Sequence, residues 1–297
     1  MNTLLAPDAS SVTLGFKAFD IHELLLHLVA LRLGFYRERD LNVILKDLTF
    51  TPDEQLDPLI FTAACGSTLL ARRKGVRRKV VLVATDFPLF WMHAQSNIAT
   101  VEELRGARIA GYPPMSPPWL FHRAILRNHG LEADHDVRLE PTRDDWARIG
   151  LLQSGDAQAA VISSAVLPSR VQSLGFKTLL FFGDEIRVPT TGLTAAEELI
   201  QNQPELVGRM VAAFHRSLAM VRESPSSVIP VIRDLVGGSR EVAEEAYTWV
   251  NRCFTPGGRA APEAMRSALT LVNREAAPEQ RLKEEDLYDY SFLPKTA

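Results

Sequence analysis

VTLGFKAFDIHELLLHLVALRLGFYRERDLNVIL, residues 12–45, decides the fold of this 297-residue chain. It begins with a short β-prone apolar run (12–16) and closes on another (42–46), with a Leu-rich stretch between them. Asp20 followed by Glu23 has the spacing of a capping box that opens a helix, and Gly34 supplies a left-handed stop. A strand, a helix and a second strand in so few residues make a βαβ unit, whose strands must run parallel.

Further apolar runs at 59–63, 79–84, 107–111, 159–162 and 177–182 read as strands, and the segments between them read as helices. Ser67 or Thr68 opens one helix, which ends in Arg72, Arg73 and Lys74 before Gly75, where cations favour the negative end of the dipole. Ser116 and Pro117 read as the N-cap and first residue of another, closing at 128–130. Asp144 and Asp145 mark a further first turn, with Gly155 past its end. After about residue 195 the strands stop and helices are expected at 204–223, 225–236, 240–252 and 262–275. The expected class is therefore α/β, with mainly parallel sheets flanked by helices and a helical C-terminal region. Neither repeats nor low-complexity tracts divide the chain into consecutive domains.

An apolar fraction of 46% excludes disorder as the main state, and a net charge of −3 gives no field for nucleic acid or an anionic membrane. The densest basic cluster, Arg72 to Lys74 and Arg77 to Lys79, reads as a helix end leading into a surface strand. Cys65 and Cys253 lie far apart in no metal-like spacing, so no disulfide framework, metal site or cofactor is expected. No apolar stretch reaches the roughly 20 residues needed to span a bilayer. The first twelve residues lack a basic region and a long apolar run, so the chain as written reads as cytoplasmic. An export signal upstream of Met1 would place it in the periplasm, or lipid-anchored outside the membrane.

The order of these segments resembles the ABC-transporter solute-binding proteins of the nitrate, sulfonate, taurine and thiamine-precursor type. Residues 12–45 are similar to that family's opening: Gly34, Phe35 and Tyr36 match its pattern, while Asp40 replaces a usual glycine before Leu41. TVEELRGARIAGY (100–112) resembles the entry into its second lobe. LLQSGDAQAAVI (151–162) follows a further family segment, with Gln158 where an aspartate is common. Residues 191–193 with the following helix resemble the return to the first lobe, and DLYDYSFL (286–293) a frequent ending. The resemblance covers nearly the whole chain. It implies a two-lobe, type 2 periplasmic-binding-protein fold, with lobe one at 12–90 plus 190–297 and lobe two at 91–189, crossing near Phe87 and Val188. It also implies a monomer that closes by hinge motion on a small solute in an interlobe cleft and delivers it to an ABC permease.

In open parallel sheets, ligands collect beyond the carboxyl ends of the strands. That rule selects Phe19, Asp20 and His22 after the first strand, Gly66 and Ser67 after the third, and Asp86 and Phe87 after the fourth. The second lobe offers Tyr112, Ser116, Trp119, Thr142, Arg143 and Ser163, and the return crossing Thr190 and Thr191. Each has a plainer role: Asp20 and Ser116 as helix caps, His22 as a solvated residue, the aromatic rings as core. If His22 is exposed it titrates near physiological pH. Helix N-termini near Ser67 and Ser116 would neutralise a carboxylate or sulfonate, and Phe19, Phe87, Tyr112 and Trp119 would wall a planar or pyrimidine-like ligand.

An enzyme on the same fold, decarboxylase- or pyrimidine-synthase-like and acting on a small aromatic or heterocyclic acid, is the alternative. Its acid–base candidates are Asp20, His22, Asp86 and His93, on or near first-lobe loops. The usual catalytic signatures, GxSxG, HExxH and a phosphate-binding glycine loop, are absent from the sequence.

Overall fold

A computed structural model describes residues 10–295 apart from Arg143 and Glu275. In chain order the elements are β1 (Ser10–Phe16), α1 (Ile21–Arg32), β2 (Leu41–Asp47), β3 (Phe61–Thr62), α2 (Cys65–Arg72) and β4 (Arg78–Thr85). Next come β5 (Phe90–Ala94), β6 (Arg108–Gly111), α3 (Pro117–Asn128), β7 (Arg138–Pro141), α4 (Asp145–Ser154), β8 (Ala159–Ser163), α5 (Pro168–Gln172), β9 (Lys177–Phe181) and α6 (Phe182–Glu185). The chain finishes with β10 (Thr191–Ala196), α7 (Glu197–Asn202), α8 (Pro204–Glu223), α9 (Pro225–Val236), α10 (Arg240–Cys253), α11 (Pro262–Asn273) and α12 (Glu284–Leu287). Two compact units result, one formed by the chain up to Asp86 together with that from Val188 onward, the other by Phe87–Arg187.

The first unit is built on a five-stranded sheet in the order β2-β1-β3-β10-β4. Four strands point the same way and β10 runs against both its neighbours, so the sheet is mixed but mainly parallel. The apolar run in β4 is buried on both faces, with Val80, Val81, Leu82 and Val83 all fully covered. Each such side chain contributes roughly 1.5–3 kcal/mol relative to exposure. Leu24, Leu25, Leu26, Val29 and Ala30 are all buried because α1 packs against both α8 and α9 as well as approaching β10. A helix apolar on every side has to be central. Beside β4, Gly192 lies so close that a Cβ placed there would stand 2.0 Å from the Leu82 carbonyl oxygen.

The second unit repeats the plan with the order β7-β6-β8-β5-β9, and here β5 is the strand that runs against its neighbours. Ala110, Ile149, Leu152, Ala160 and Ile162 form the heart of one of its core clusters.

Several local expectations change. Three strands join those expected, namely β5, β7 and β10. The helix assigned to Ser67 or Thr68 starts two residues earlier at Cys65 with no side-chain cap, and Ser67 Oγ instead donates to the Ala64 carbonyl at 3.2 Å. Asp20 caps α1 by accepting from Glu23 N at 2.9 Å, but Glu23 does not complete the box. Its carboxylate turns back to the loop and accepts from Lys17 N and Ala18 N at 2.7 and 2.8 Å. Asp144 caps α4 through Ala147 N, with Gly155 in the left-handed region after it. The basic cluster is only partly on the surface: Arg78 is 3% exposed and donates to the Ile60 carbonyl, and Arg72 pairs with Glu197. The last residue of the helix expected at 262–275 lies outside the described residues, and α11 ends at Asn273. Both cysteines are buried and unbonded to each other. Among the described residues no helix is long and apolar enough to cross a membrane.

Candidate functional site

The carboxyl ends of β1, β3 and β4 and the amino end of β10 meet at one edge of the first unit's sheet, as the pairing of Thr85 with Thr191 requires. The register brings four polar side chains from distant parts of the chain into contact. His22 Nε2 lies 2.8 Å from Thr85 Oγ1 and 2.7 Å from Thr190 Oγ1. Thr85 Oγ1 lies 2.7 Å from Thr190 Oγ1 and 2.8 Å from Thr191 Oγ1. The proton directions follow by elimination. Thr191 gives its hydroxyl proton to the His22 carbonyl at 2.8 Å, so Thr85 is the donor in its contact with Thr191. With its own proton spent, Thr85 accepts from His22, which therefore carries its proton on Nε2.

The expectation of a solvated, pH-sensitive histidine is thus corrected. His22 is 4% exposed, and burial lowers its pKa from 6.5 to about 3, leaving it neutral throughout the physiological range. The same edge holds Gly66, whose N–H donates to the Thr190 carbonyl at 2.9 Å. Asp86, 2% exposed, accepts from Val188 N through its carbonyl and from Ala261 N through Oδ2, both at 2.9 Å. Burial, and secondarily Asp20, pushes the Glu23 carboxyl up to about 8, against the two loop N–H groups and the Lys17 ammonium that hold it down. Lys17 itself pairs with Asp53 at 2.8 Å. Phe19 is 63% exposed at the rim, its ring edge-on to Phe16 at 5.8 Å. Of the residues chosen from sequence, Asp20, His22, Gly66, Asp86, Thr190 and Thr191 gather here, and Ser67 sits half-buried one residue into α2 beyond Gly66.

At the corresponding edge of the second unit, Ser163 ends β8 and binds Asp145 through both its N–H (3.0 Å) and its hydroxyl (2.6 Å). Asp145 is also 2.6 Å from the Arg148 guanidinium, which donates to the Thr142 carbonyl and stacks on Tyr112 at 4.0 Å. Phe90 packs edge-on to Tyr112 and tilted against Phe182. His122 lies 6.1 Å from the Phe182 ring and, 1% exposed, has no hydrogen-bond partner in the protein at either nitrogen. Burial, then Arg123, lowers its pKa to about 3. Ser116 occupies the N-cap position of α3 without making the cap bond, since its hydroxyl donates to the Pro113 carbonyl at 2.7 Å. Trp119 carries Arg123 over its ring, and Phe87 carries Arg187. Arg143, expected beside Thr142, lies outside the described residues.

His93 is not on a first-unit loop. It is fully buried inside β5 of the second unit, with Nδ1 3.2 Å from Thr178 Oγ1, and burial, opposed by Asp145, lowers its pKa to about 4. The sequence reading passed over Asp145, Arg148, His122, Phe90 and Phe182 as site residues. The one local signal for them was the Asp145–Arg148 spacing on a helix, which puts both side chains on one face. Among the described residues no group of three or more His, Cys, Asp or Glu side chains could hold a metal ion.

Residues 59–210, just over half of the chain, match the family described as ABC transporter, phosphonate, periplasmic substrate-binding protein. The riboflavin-binding protein RibY of Chloroflexus aurantiacus is 25% identical over 236 residues, which are 74% of this chain. The chain spans only 64% of that relative's length. Among solved structures, the alkanesulfonate-binding protein SsuA from Xanthomonas axonopodis pv. citri, bound to MOPS, superposes with a TM-score of 0.73 at 13% identity, over 94% of this chain and 96% of that one. The desulfurization enzyme DSZB superposes with a TM-score of 0.64 at 15% identity, over 93% and 97% of the two chains. These structural likenesses establish the periplasmic-binding-protein fold, on which both binders and an enzyme are found.

Proposed function

Because this chain belongs to the family of periplasmic substrate-binding proteins of phosphonate-type ABC transporters, we propose that it captures a small polar or planar organic solute and presents it to an ABC permease outside the cytoplasmic membrane. The observation that carries this reading is the edge of the first unit's sheet. There His22, Thr85, Thr190 and Thr191 lock the ends of β4, β10 and α1 together by hydrogen bonds of 2.7–2.8 Å. A ligand site needs its loops held by a rigid second layer of this kind. Asp20, Gly66 and Asp86 belong to the loops so held, and Phe19 offers an exposed apolar face beside them. Within the second unit, Tyr112, Trp119 and Ser163 are proposed as ligand contacts of that unit's own edge, with Phe87 at its first residue. The aromatic set Phe90, Tyr112 and Phe182 suits a planar molecule, as does the likeness to a riboflavin-binding relative.

Catalysis has less support. The Cys65 thiol is pushed well above its ordinary pKa by burial and then by Glu23, and His22 is a poor base when its Nε2 proton is engaged by two hydroxyls. The test is calorimetric titration of purified protein with flavins, pyrimidines, sulfonates and phosphonates, followed by mass analysis of the recovered ligand. A ligand bound and recovered unchanged is the expected result. Conversion to product would replace this reading with an enzyme.

A further inference from the structure

We infer that the first unit carries a second binding site, at the end of its sheet remote from the strand edge described above, for a small zwitterion that bears both a carboxylate and a protonated amine. The β4–β10 ladder runs from Thr85 paired with Thr191 at one end to Arg78 paired with Ala196 at the other. β4 is eight residues long, which sets the two ends roughly 20 Å apart. A cavity of about 530 Å³ lies at the second end. It is walled by the turn at 53–55, residues 74–76 just beyond α2, the start of β4 and the start of α7. Its size falls within the roughly 300–1,000 Å³ of small-molecule sites.

Two residues of this lining each have a buried side-chain atom with no hydrogen-bond partner among the described residues: Arg78 Nε, a donor, and Asp53 Oδ2, an acceptor. Arg78 is 3% exposed and Asp53 8%. Polar atoms buried in this way ordinarily have partners, so the pair marks where a guest would be met. The Arg78 guanidinium spends an N–H on the Ile60 carbonyl, and burial, opposed by Asp53 and Asp57, lowers its pKa only to about 10, so it is a cation at neutral pH. The neighbouring carboxylates are committed elsewhere. Asp53 Oδ1 pairs with Lys17 at 2.8 Å, and Glu54 with Lys74 at 2.7 Å. Glu197 is shared by Arg72 and Arg77 at 2.6 and 2.8 Å, so that two guanidinium groups rest on one carboxylate. Glu198 beside it is exposed, where water screens it. The basic run at 72–79 thus brings more cation than its own carboxylates meet, and a ligand carboxylate is the planar anion that a guanidinium fits. The remaining lining has the opposite sense. The C-terminal end of α2 is the negative end of its dipole and Asp53 Oδ2 is an open acceptor, so both favour an ammonium group.

The experiment is calorimetric titration of the full chain with alanine, glutamine and phenylalanine, each beside its N-acetyl derivative, which lacks the ammonium, and its α-amide, which lacks the carboxylate. At least one of the three amino acids should bind, and its two derivatives should bind about tenfold more weakly or not at all. Arg78→Met should weaken the bound amino acid by about tenfold or more, and Arg78→Lys should restore part of the loss. Arg78 is buried and its replacement endangers β4, so Arg77→Gln, at a side chain 78% exposed, is the second variant, expected to weaken binding about threefold. Hydrogen exchange on the unaltered chain locates the ligand without any substitution: protection should rise at 53–58, 74–78 and 196–201, and stay unchanged at 84–86 and 188–191. Silence of all three amino acids would leave the cavity to water and overturn the inference. Equal affinity of a derivative would overturn the ligand class, and protection at the Thr85 and Thr191 edge instead would assign the ligand to the strand-end site and overturn the second one.

Discussion

Thr85→Val removes one oxygen from a place with no solvent and three polar neighbours. Thr85 is fully buried, and its hydroxyl accepts from His22 Nε2–H, donates to Thr191 and touches Thr190, all within 2.8 Å. Valine keeps the shape and the β-branched fit to β4, so cavity formation adds little. His22 retains Thr190 as a partner at 2.7 Å, while Thr191 loses a donor but keeps its own bond to the His22 carbonyl. One buried acceptor is therefore left short and one donor weakened, which costs about 2 kcal/mol within the usual 1–3 kcal/mol for such losses. For a unit of this size that corresponds to a fall of roughly 4–8 °C in melting temperature. Urea unfolding followed by intrinsic fluorescence measures it, and a double-mutant cycle with Thr190→Val isolates the shared part. The two substitutions should couple by more than about 0.5 kcal/mol. A loss below that value for Thr85→Val, or strict additivity in the cycle, would refute the proton assignment that makes Thr85 the hub.

Glu23 should give the fold a pH dependence of unusual sign for a carboxyl group. Its folded pKa of about 8 lies above the ordinary 4.5, so the stability linked to its proton is complete below pH 4.5 and is lost as pH rises toward 8. The full span is about 5 kcal/mol from the shift, and Glu23→Gln should flatten that slope in denaturation curves taken from pH 5 to 9; an unchanged slope would assign it to other groups. Arg148→Met should destabilise the second unit by about 3–5 kcal/mol, because it takes the guanidinium partner away from the buried Asp145 side chain. Hydrogen exchange would detect this as a loss of protection in β8 and α4, and intact protection there would count against it. Gly192→Ala should cost about 3 kcal/mol or more, since its methyl would meet the Leu82 carbonyl oxygen inside a paired strand. Recovery of soluble protein with an unchanged denaturation midpoint would show that the two strands can part there.

The architecture was legible where a residue's role is local. The run at 12–45 announces β1, α1 and β2 because apolar period, cap and stop all lie within it. Asp20, Asp144 and Gly155 do at the helix ends what their types do anywhere. Strands that depend on distant partners were missed. In β10, TGLTAA is too small and too rich in glycine and alanine to look like a strand, and it becomes one because β3 and β4 flank it. In β7, RLEP is largely polar and holds only to β6. The candidate site divides in the same way. Choosing loops after strands found Asp20, His22, Gly66, Asp86, Thr190 and Thr191, since that rule needs only element order. It gave the wrong surroundings for His22, whose partners are 63 and 168 residues away in the chain. It could not reach Arg148 or His122, which lie within helices.

Thr85 and Thr191 are partners in adjacent antiparallel strands, and the chain between them contains the entire second unit. In polymer terms, β4 and β10 are the two arms of a hairpin whose loop has swollen to about a hundred residues. Closing an unstructured loop of that length costs roughly 2 kcal/mol more than closing one a tenth as long. A folded insert whose two ends emerge side by side would remove much of that cost before the arms meet. The Val188 N–H bond to the Asp86 carbonyl and the Thr190 N–H bond to the Thr85 carbonyl are where such a loop would be tied off. The order of assembly expected from this topology is therefore the inserted unit first and the last two strands of the host sheet afterwards. A host chain with the insert replaced by a two-residue turn would pair those strands without waiting for it.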